Sequence, residues 1–253
     1  MIHNEVMFVL VAVLLLQAPN ANTIVQKVQD SDPWGFSGSE VAARAIIKDS
    51  GGTTRTLAFT SRSRRHDPPL SKGILRFSAP ADLAGVGFLQ IQNRDADDQR
   101  FLFLPEIKRS RRIAGNSRTQ AFVGTDFNYA DLDRRDLRNS QAAIKGEEPI
   151  GKFPCWRLEV VPRSADAVYA RLELWVRKDN SVPLKWQMYS KSGVLLKTLV
   201  AEEVKRVSGR WYITRSLMTN HQESRSTELL LDKVTPRDDI PDDEFTVRNL
   251  EKM

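Results

Sequence analysis

The chain has 253 residues, 41% of them hydrophobic and 28% charged, with a net charge of +6. That composition supports one domain with a sizeable core and excludes a disordered or low-complexity protein. The basic balance favours anionic membrane surfaces. Nucleic acid is set aside, because acidic runs such as Asp95-Ala-Asp-Asp98 interrupt the basic ones and no binding motif occurs.

The first element in chain order is an unbroken apolar run, Val6–Leu16. It is too short for a bilayer span, which needs about 20 residues. It reads as the core of a secretory signal, with Ala18-Pro-Asn-Ala21 as a small-residue cleavage zone. Residues 1–21 are therefore expected to be a leader and 22–253 a single exported domain. The single cysteine, Cys155, cannot form an intramolecular disulfide. No cysteine follows the leader to carry a lipid anchor, so the exported chain is expected to be soluble.

A short helix is expected over Thr23–Ser31, with Ile24, Val25 and Val28 on one face and Pro33 as its stop. Strands follow at Glu40–Asp49 and Thr54–Ser63, turned by Gly51-Gly52 into a hairpin. More are expected at Gly73–Ser78, Val86–Asn93, Arg100–Leu104 and Ser110–Ala114. Residues 127–146 read as two short helical patterns rich in Asp and Arg, and 146–151 as a loop. Strands return at Cys155–Val161, Val168–Lys178, Pro183–Ser190, Val194–Val207, Arg210–Thr219 and Ser226–Val234. Turns at Asp179-Asn180, Lys191-Ser-Gly193 and Ser208-Gly209 separate several of them. Hairpin turns without βαβ alternation indicate an antiparallel sheet.

Strand phase predicts one dry face. It would carry Trp156, Leu158 and Val160, then Ala170, Leu172, Leu174 and Val176, then Leu184, Trp186 and Met188, then Trp211, Ile213 and Leu217, then Leu229 and Leu231. Arg171, Glu173 and Arg177 would point outward. A dry sheet face has to be covered. The stretch Phe122-Val-Gly-Thr-Asp-Phe-Asn-Tyr-Ala-Asp-Leu132 is a candidate cover. Gly124 permits a tight turn, Thr125, Asp126 and Asn128 are helix-capping residues, and Phe122, Phe127, Tyr129 and Leu132 are greasier than a surface loop requires.

These residues carry a resemblance. Leu104-Pro105, Arg111-Arg112-Ile113 and Phe122–Leu132, with Leu75–Asp82, Gly85, Pro183–Gly193 and Ile240–Thr246, resemble the outer-membrane lipoprotein-sorting family, the periplasmic proteins related to LolA and LolB. The Gly-Thr-Asp-Phe stretch is the most specific part. The resemblance implies an α+β fold: a curved antiparallel sheet, an incomplete and unclosed β-barrel, covered by a few short helices. It implies a periplasmic carrier that binds acyl chains of lipoproteins or lipids in an apolar groove and delivers them towards the outer membrane. It implies no catalytic residue and no cofactor. A second reading is an accessory partner of an RND-type membrane exporter, working through its charged outer surface.

The groove candidates are Leu75, Phe77, Phe101, Phe103, Phe122, Phe127, Trp156, Trp186 and Trp211. The alternative for all of them is a filled core. Arg111 and Arg112, within a basic cluster with Lys108, Arg109 and Arg118, are candidates for lipid head groups or an acidic partner. Metal chemistry finds no support. Asp95 and Asp97 have the first spacing of a calcium loop, but Arg100 stands where glycine is needed. That acidic turn, and the cluster Asp238-Asp239 with Asp242-Asp243-Glu244, read as solvated loops or a helix start. His66 and His221 lack partners at ligand spacing. No Gly-x-Ser-x-Gly occurs. Asp126 and Asp131 read as caps or as ion-pair partners of nearby Arg134 and Arg135, rather than as an acid–base pair.

The leader reading is checked by N-terminal sequencing of mature protein from the periplasmic fraction. The expected start lies near Ala21. A full-length, membrane-embedded product would rule it out.

Overall fold

A computed structural model describes residues 19–35, 37–68, 70–94, 96–114, 117–133 and 135–252. Residues 1–18 of the expected leader, together with Asp95 and Arg134, lie outside the described residues. Helix α1 (Ala21–Ser31) begins within the expected cleavage zone; Asn20 caps it by accepting from the Asn22 amide. Among the described residues no helix is long and apolar enough to cross a membrane.

The strands are β1 (Ser39–Lys48), β2 (Thr54–Asp67), β3 (Leu70–Ala79), β4 (Gly87–Ile91), β5 (Gln99–Leu104), β6 (Arg109–Arg112) and β7 (Ser140–Glu147). They continue with β8 (Cys155–Pro162), β9 (Arg171–Arg177), β10 (Pro183–Tyr189), β11 (Leu195–Val207), β12 (Arg210–Asn220) and β13 (Arg225–Pro236). Between β6 and β7 lie helices α2 (Tyr129–Asp133) and α3 (Arg135–Arg138); α4 (Val247–Leu250) closes the described chain. The hairpin between β1 and β2 forms where glycine allows it, with Gly52 at φ +87°. Strand β7 departs from the expected helix and loop. Its mostly polar or small side chains gave no apolar alternation, and it is held by pairing with β8 along one edge only.

All thirteen strands join one antiparallel sheet in the order β6-β5-β4-β3-β2-β1-β13-β12-β11-β10-β9-β8-β7. The sheet is curved and unclosed, with β6 and β7 as its two edges. One stretch of chain, residues 113–139, links those edges. It cannot continue the sheet, so it packs with α1 over the inner face.

Both faces of the sheet are covered, which corrects the single dry face read from the strands. Inside, one cluster joins β1–β5 and β13 to Phe122 and Tyr129, and a second joins α1, α3 and β8–β12. Outside, Ile74, Leu89 and Phe103 are covered by Ile240, Phe245 and Leu250 of the C-terminal segment. That segment is a strap. Arg64 donates to the Ile240 carbonyl (3.1 Å) and Arg76 to that of Asn249. Its acidic residues are not merely solvated: Asp242 pairs with Lys72 and Glu244 with Arg62 across β2 and β3. Farther along the outer face, Cys155, Trp175, Val182, Leu184 and Ile213 form another cluster.

Several phases follow from this. In β12 the bulky Trp211 and Ile213 belong outside, while the small polar Thr214 and Ser216 are buried and Met218 joins the inner core. In β10 a register shift between Pro183 and Lys185 leaves Leu184 in the outer cluster, while Trp186 and Met188 are inside. Glu173 and Arg177, expected to face water, are each 7% exposed. Glu173 accepts from Arg157 (2.8 Å) and from Arg171.

Burial alone would raise the Glu173 carboxyl, but the two guanidiniums outweigh it and hold it below the ordinary glutamate range. A depressed folded-state value contributes stability above the unfolded value, and that stability is lost as pH falls through the folded one. Glu173→Gln is therefore expected to destabilise the protein at neutral pH by about 1–3 kcal/mol. Its stability should also fall less than that of the parent on acidification below the ordinary glutamate range. Urea melts at several pH values check both; parallel acid limbs would contradict the assignment.

Candidate functional site

The inner face does not pack solid. Between the sheet, α1 and the 113–139 segment lies a cavity of about 190 Å³. Leu57 and Phe59 of β2, Leu75 and Phe77 of β3, Phe88 of β4, Leu172 of β9, Trp186 and Met188 of β10, Leu199 and Met218 line it from the sheet. Val28, Phe122, Phe127, Leu132 and Leu137 line it from the covering elements. Trp34 meets Trp186 in a tilted contact, with centroids 4.6 Å apart and ring planes at 52°. Trp34 and Phe127 each touch both inner clusters, so they span the two halves of the sheet.

The cover over this cavity is a plug built by its own sequence. Val123 (φ +48°) and Gly124 (φ +77°) make the tight turn that the glycine suggested. A β-branched residue at positive φ is strained; here surrounding bonds hold it. The Phe122 amide donates to the Phe127 carbonyl (2.8 Å), and the Thr125 hydroxyl donates to the Phe122 carbonyl (2.7 Å). Asn128 and Asp131 exchange amide-to-side-chain bonds of 2.8 and 2.9 Å, a capping box that starts α2. Phe122 and Tyr129 then meet Phe77 and Phe88 in edge-on and tilted contacts with centroids 5.1–6.1 Å apart.

Two buried carboxylates clasp the plug to the sheet. Asp126 accepts from the Thr227 hydroxyl (2.7 Å), which in turn accepts from the Asp126 amide (2.9 Å). Arg225 lies 3.7 Å from the same carboxylate and donates to the Gly124 carbonyl (2.7 Å). Asp131 accepts from Tyr169 (2.8 Å) and from Lys197 (3.1 Å). Partners of these acids thus come from β13, β11 and Tyr169 just before β9; the expected pairing with Arg134 and Arg135 lies outside the described side chains.

Of the nine groove candidates, Leu75, Phe77, Phe122, Phe127 and Trp186 line the cavity. Phe101 and Phe103 do not: they pack under the C-terminal strap, and Leu102 takes the inner face. Trp211 lies in the outer cluster. Trp156 sits half-buried at the rim of the inner core, with the Lys178 ammonium 4.0 Å above its ring. Trp34, Phe59 and Phe88 were missed. The alternation Leu57-Ala-Phe59 was the available signal for one; nothing marked Trp34. Arg111 and Arg112 are exposed on the edge strand β6, whereas Arg118 is buried and donates to the Asp166 carbonyl. Asp98 leaves the expected solvated turn: it is buried beside Arg100 (3.2 Å) and Arg138 (3.8 Å). Among the described residues no group of three or more His, Cys, Asp or Glu side chains is placed to hold a metal ion.

An open antiparallel barrel with a plugged apolar interior is a LolA-type architecture. A domain from Vibrio parahaemolyticus named for outer-membrane lipoprotein sorting is 26% identical, with a TM-score of 0.85 over 92% of this chain and 98% of its own. A DUF1329 family protein from Desulfovibrio piger is 24% identical, with a TM-score of 0.84 over 90% and 97%. A LolA superfamily protein from Nitrosomonas europaea is 21% identical, with a TM-score of 0.72 over 90% and 98%. A DUF1329-like family model, described as "Uncharacterized protein", matches residues 70–252. No curated protein matches the chain. The chain belongs to this DUF1329-like family, and it shares the fold of the LolA superfamily protein.

Thr227→Val removes one clasp and leaves a buried carboxylate short of a donor, at a cost of about 1–3 kcal/mol. Amide exchange over residues 122–132 is expected to accelerate while β9 keeps its protection. Uniform acceleration across the sheet would mean that the plug is not a separate unit.

Proposed function

We propose that the protein is a periplasmic carrier that binds the acyl chains of lipoproteins or lipids between its sheet and plug, and delivers them towards the outer membrane. The observation that carries this reading is an apolar cavity left beneath a separately clasped cover. The family resemblance and the relative named for lipoprotein sorting support it. Binding needs no chemistry: each methylene moved out of water contributes about 0.8 kcal/mol.

The cavity as it stands is below the roughly 300–1,000 Å³ of pockets that hold drug-sized ligands. Cargo therefore enters by moving Phe122, Phe127 and Tyr129 aside. The exposed edge strand β6 is the proposed contact for head groups or for an acidic partner on an inner-membrane transporter. Arg111 and Arg112 are exposed on that strand, and Ile107, just ahead of it in the chain, is 59% exposed. No step of this function is catalytic.

Trp186 and Trp34 make the reading measurable. The folded protein is expected to bind a fluorescent long-chain fatty acid and to change its tryptophan emission on doing so. Phe127→Ala and Trp186→Ala should weaken binding about tenfold or more. Phe101→Ala, under the outer strap, should not. Equal effects, or no binding by the parent protein, would favour a simple filled core.

A further inference from the structure

The inner face is not uniformly apolar. The rows of β1–β5 beyond Leu57, Phe59 and Phe88 turn polar, and pairing aligns Ser39, Ser63, Gly73, Gln90 and Arg100 across five strands. Most of this belt is satisfied. Ser63 donates to the Ser39 carbonyl (3.2 Å), and Gln92 accepts from the Ser71 amide (2.9 Å). Two groups that line the cavity are not. The Ser61 hydroxyl, on a residue 6% exposed, and the Gln90 amide nitrogen are buried without a protein partner. Leaving such groups unmade costs free energy.

Opposite Gln90, and one row along from the Ser61–Leu75 pair, the wall has a notch at Gly73. A side chain would fit there, since its Cβ would meet only the Arg62 carbonyl oxygen and the Ser63 Cβ, both at 3.8 Å. Gly73 also lacks a positive φ that would demand glycine.

Resting on the carrier reading, we propose that Ser61 and Gln90, around the Gly73 notch, form a polar subsite for the acyl carbonyl of the cargo. Both groups can donate. Gln90 offers only N–H at its unpartnered atom, so the subsite takes an acceptor. An ester or amide carbonyl at the head of an aliphatic chain supplies one, while its chain occupies the apolar wall beside Leu75, Phe77 and Phe88. No fixed charge among these donors calls for a free phosphate or carboxylate. The acyl carbonyl is common to ester-linked lipoprotein chains and to free glycerolipids.

The test compares 1-palmitoylglycerol with 1-O-hexadecylglycerol, which keeps chain and glycerol but lacks the carbonyl. Binding is read by tryptophan emission and calorimetry. The parent protein is expected to prefer the ester about 3- to 10-fold. Gln90→Met and Ser61→Ala should reduce that preference, and Gly73→Val should remove it, with the ether still bound. Because the Ser61 hydroxyl has no partner, Ser61→Ala should leave the melting temperature of the empty protein unchanged or raised. Equal affinity of the parent protein for ester and ether overturns the subsite while leaving the carrier reading intact. Binding of neither removes the carrier reading and the subsite with it. Competition by a dipalmitoylated S-glyceryl-cysteine peptide supports the subsite and identifies lipoprotein as the source; competition by the monoacylglycerol alone supports it and identifies free lipid.

Discussion

A curved antiparallel sheet of thirteen strands that never closes cannot bury its own inner face. Every other feature answers to that constraint. The strands cannot be extended past β6 or β7 without pairing with something else. The chain that joins those edges is therefore free to fold inward. It must bring its own apolar surface, which explains Phe122, Phe127 and Tyr129. It must also satisfy its own backbone, which explains the Asn128–Asp131 box and the bonds around Thr125. Helix α1 covers the rest with Ile24, Val25 and Val28. The outer face is closed independently by the strap at Ile240–Leu250. Gly87 fits that arrangement, because a side chain there would meet Leu250 at 2.7 Å.

The antiparallel sheet and most of its strands were legible because hairpin turns and runs of large apolar residues are local signals. The plug was legible for the same reason: a glycine, three capping residues and three rings lie within eleven positions. Phase was harder. Arg100-Phe-Leu-Phe-Leu104 is apolar at every inner position, so period 2 cannot say which side is inside. The answer came from residues 240–250, far away in sequence. In β12 the rule pointed the wrong way, because the interior accepts Thr214 and Ser216 while Trp211 is covered outside. In β9 the polar residues Glu173 and Arg177 are buried in ion pairs, a tertiary effect that no alternation pattern records. Clasps were illegible for a similar reason. Asp126 and Thr227 are 101 residues apart, and their pairing depends on β13 lying beside β1.

On the carrier reading proposed above, the cover has to hold when empty and yield to cargo, and the two kinds of force on it differ in how they scale. Each clasp is a short-range polar contact worth on the order of 1–3 kcal/mol, and there are two of them. Displaced aromatic surface can be recovered against the incoming chain, so the clasps are the part of the opening cost that cargo does not automatically replace. Apolar gain grows with chain length at about 0.8 kcal/mol per methylene. Roughly five methylenes offset two clasps of about 2 kcal/mol each. A chain of three or four carbons thus gains too little to open the plug, while a long acyl chain gains more than enough. On that reading the Asp126 and Asp131 clasps would set a length threshold, and the proposed subsite at Ser61 and Gln90 would add a requirement at the chain's head. Together they would admit a long, carbonyl-headed chain and leave short hydrophobic solutes outside.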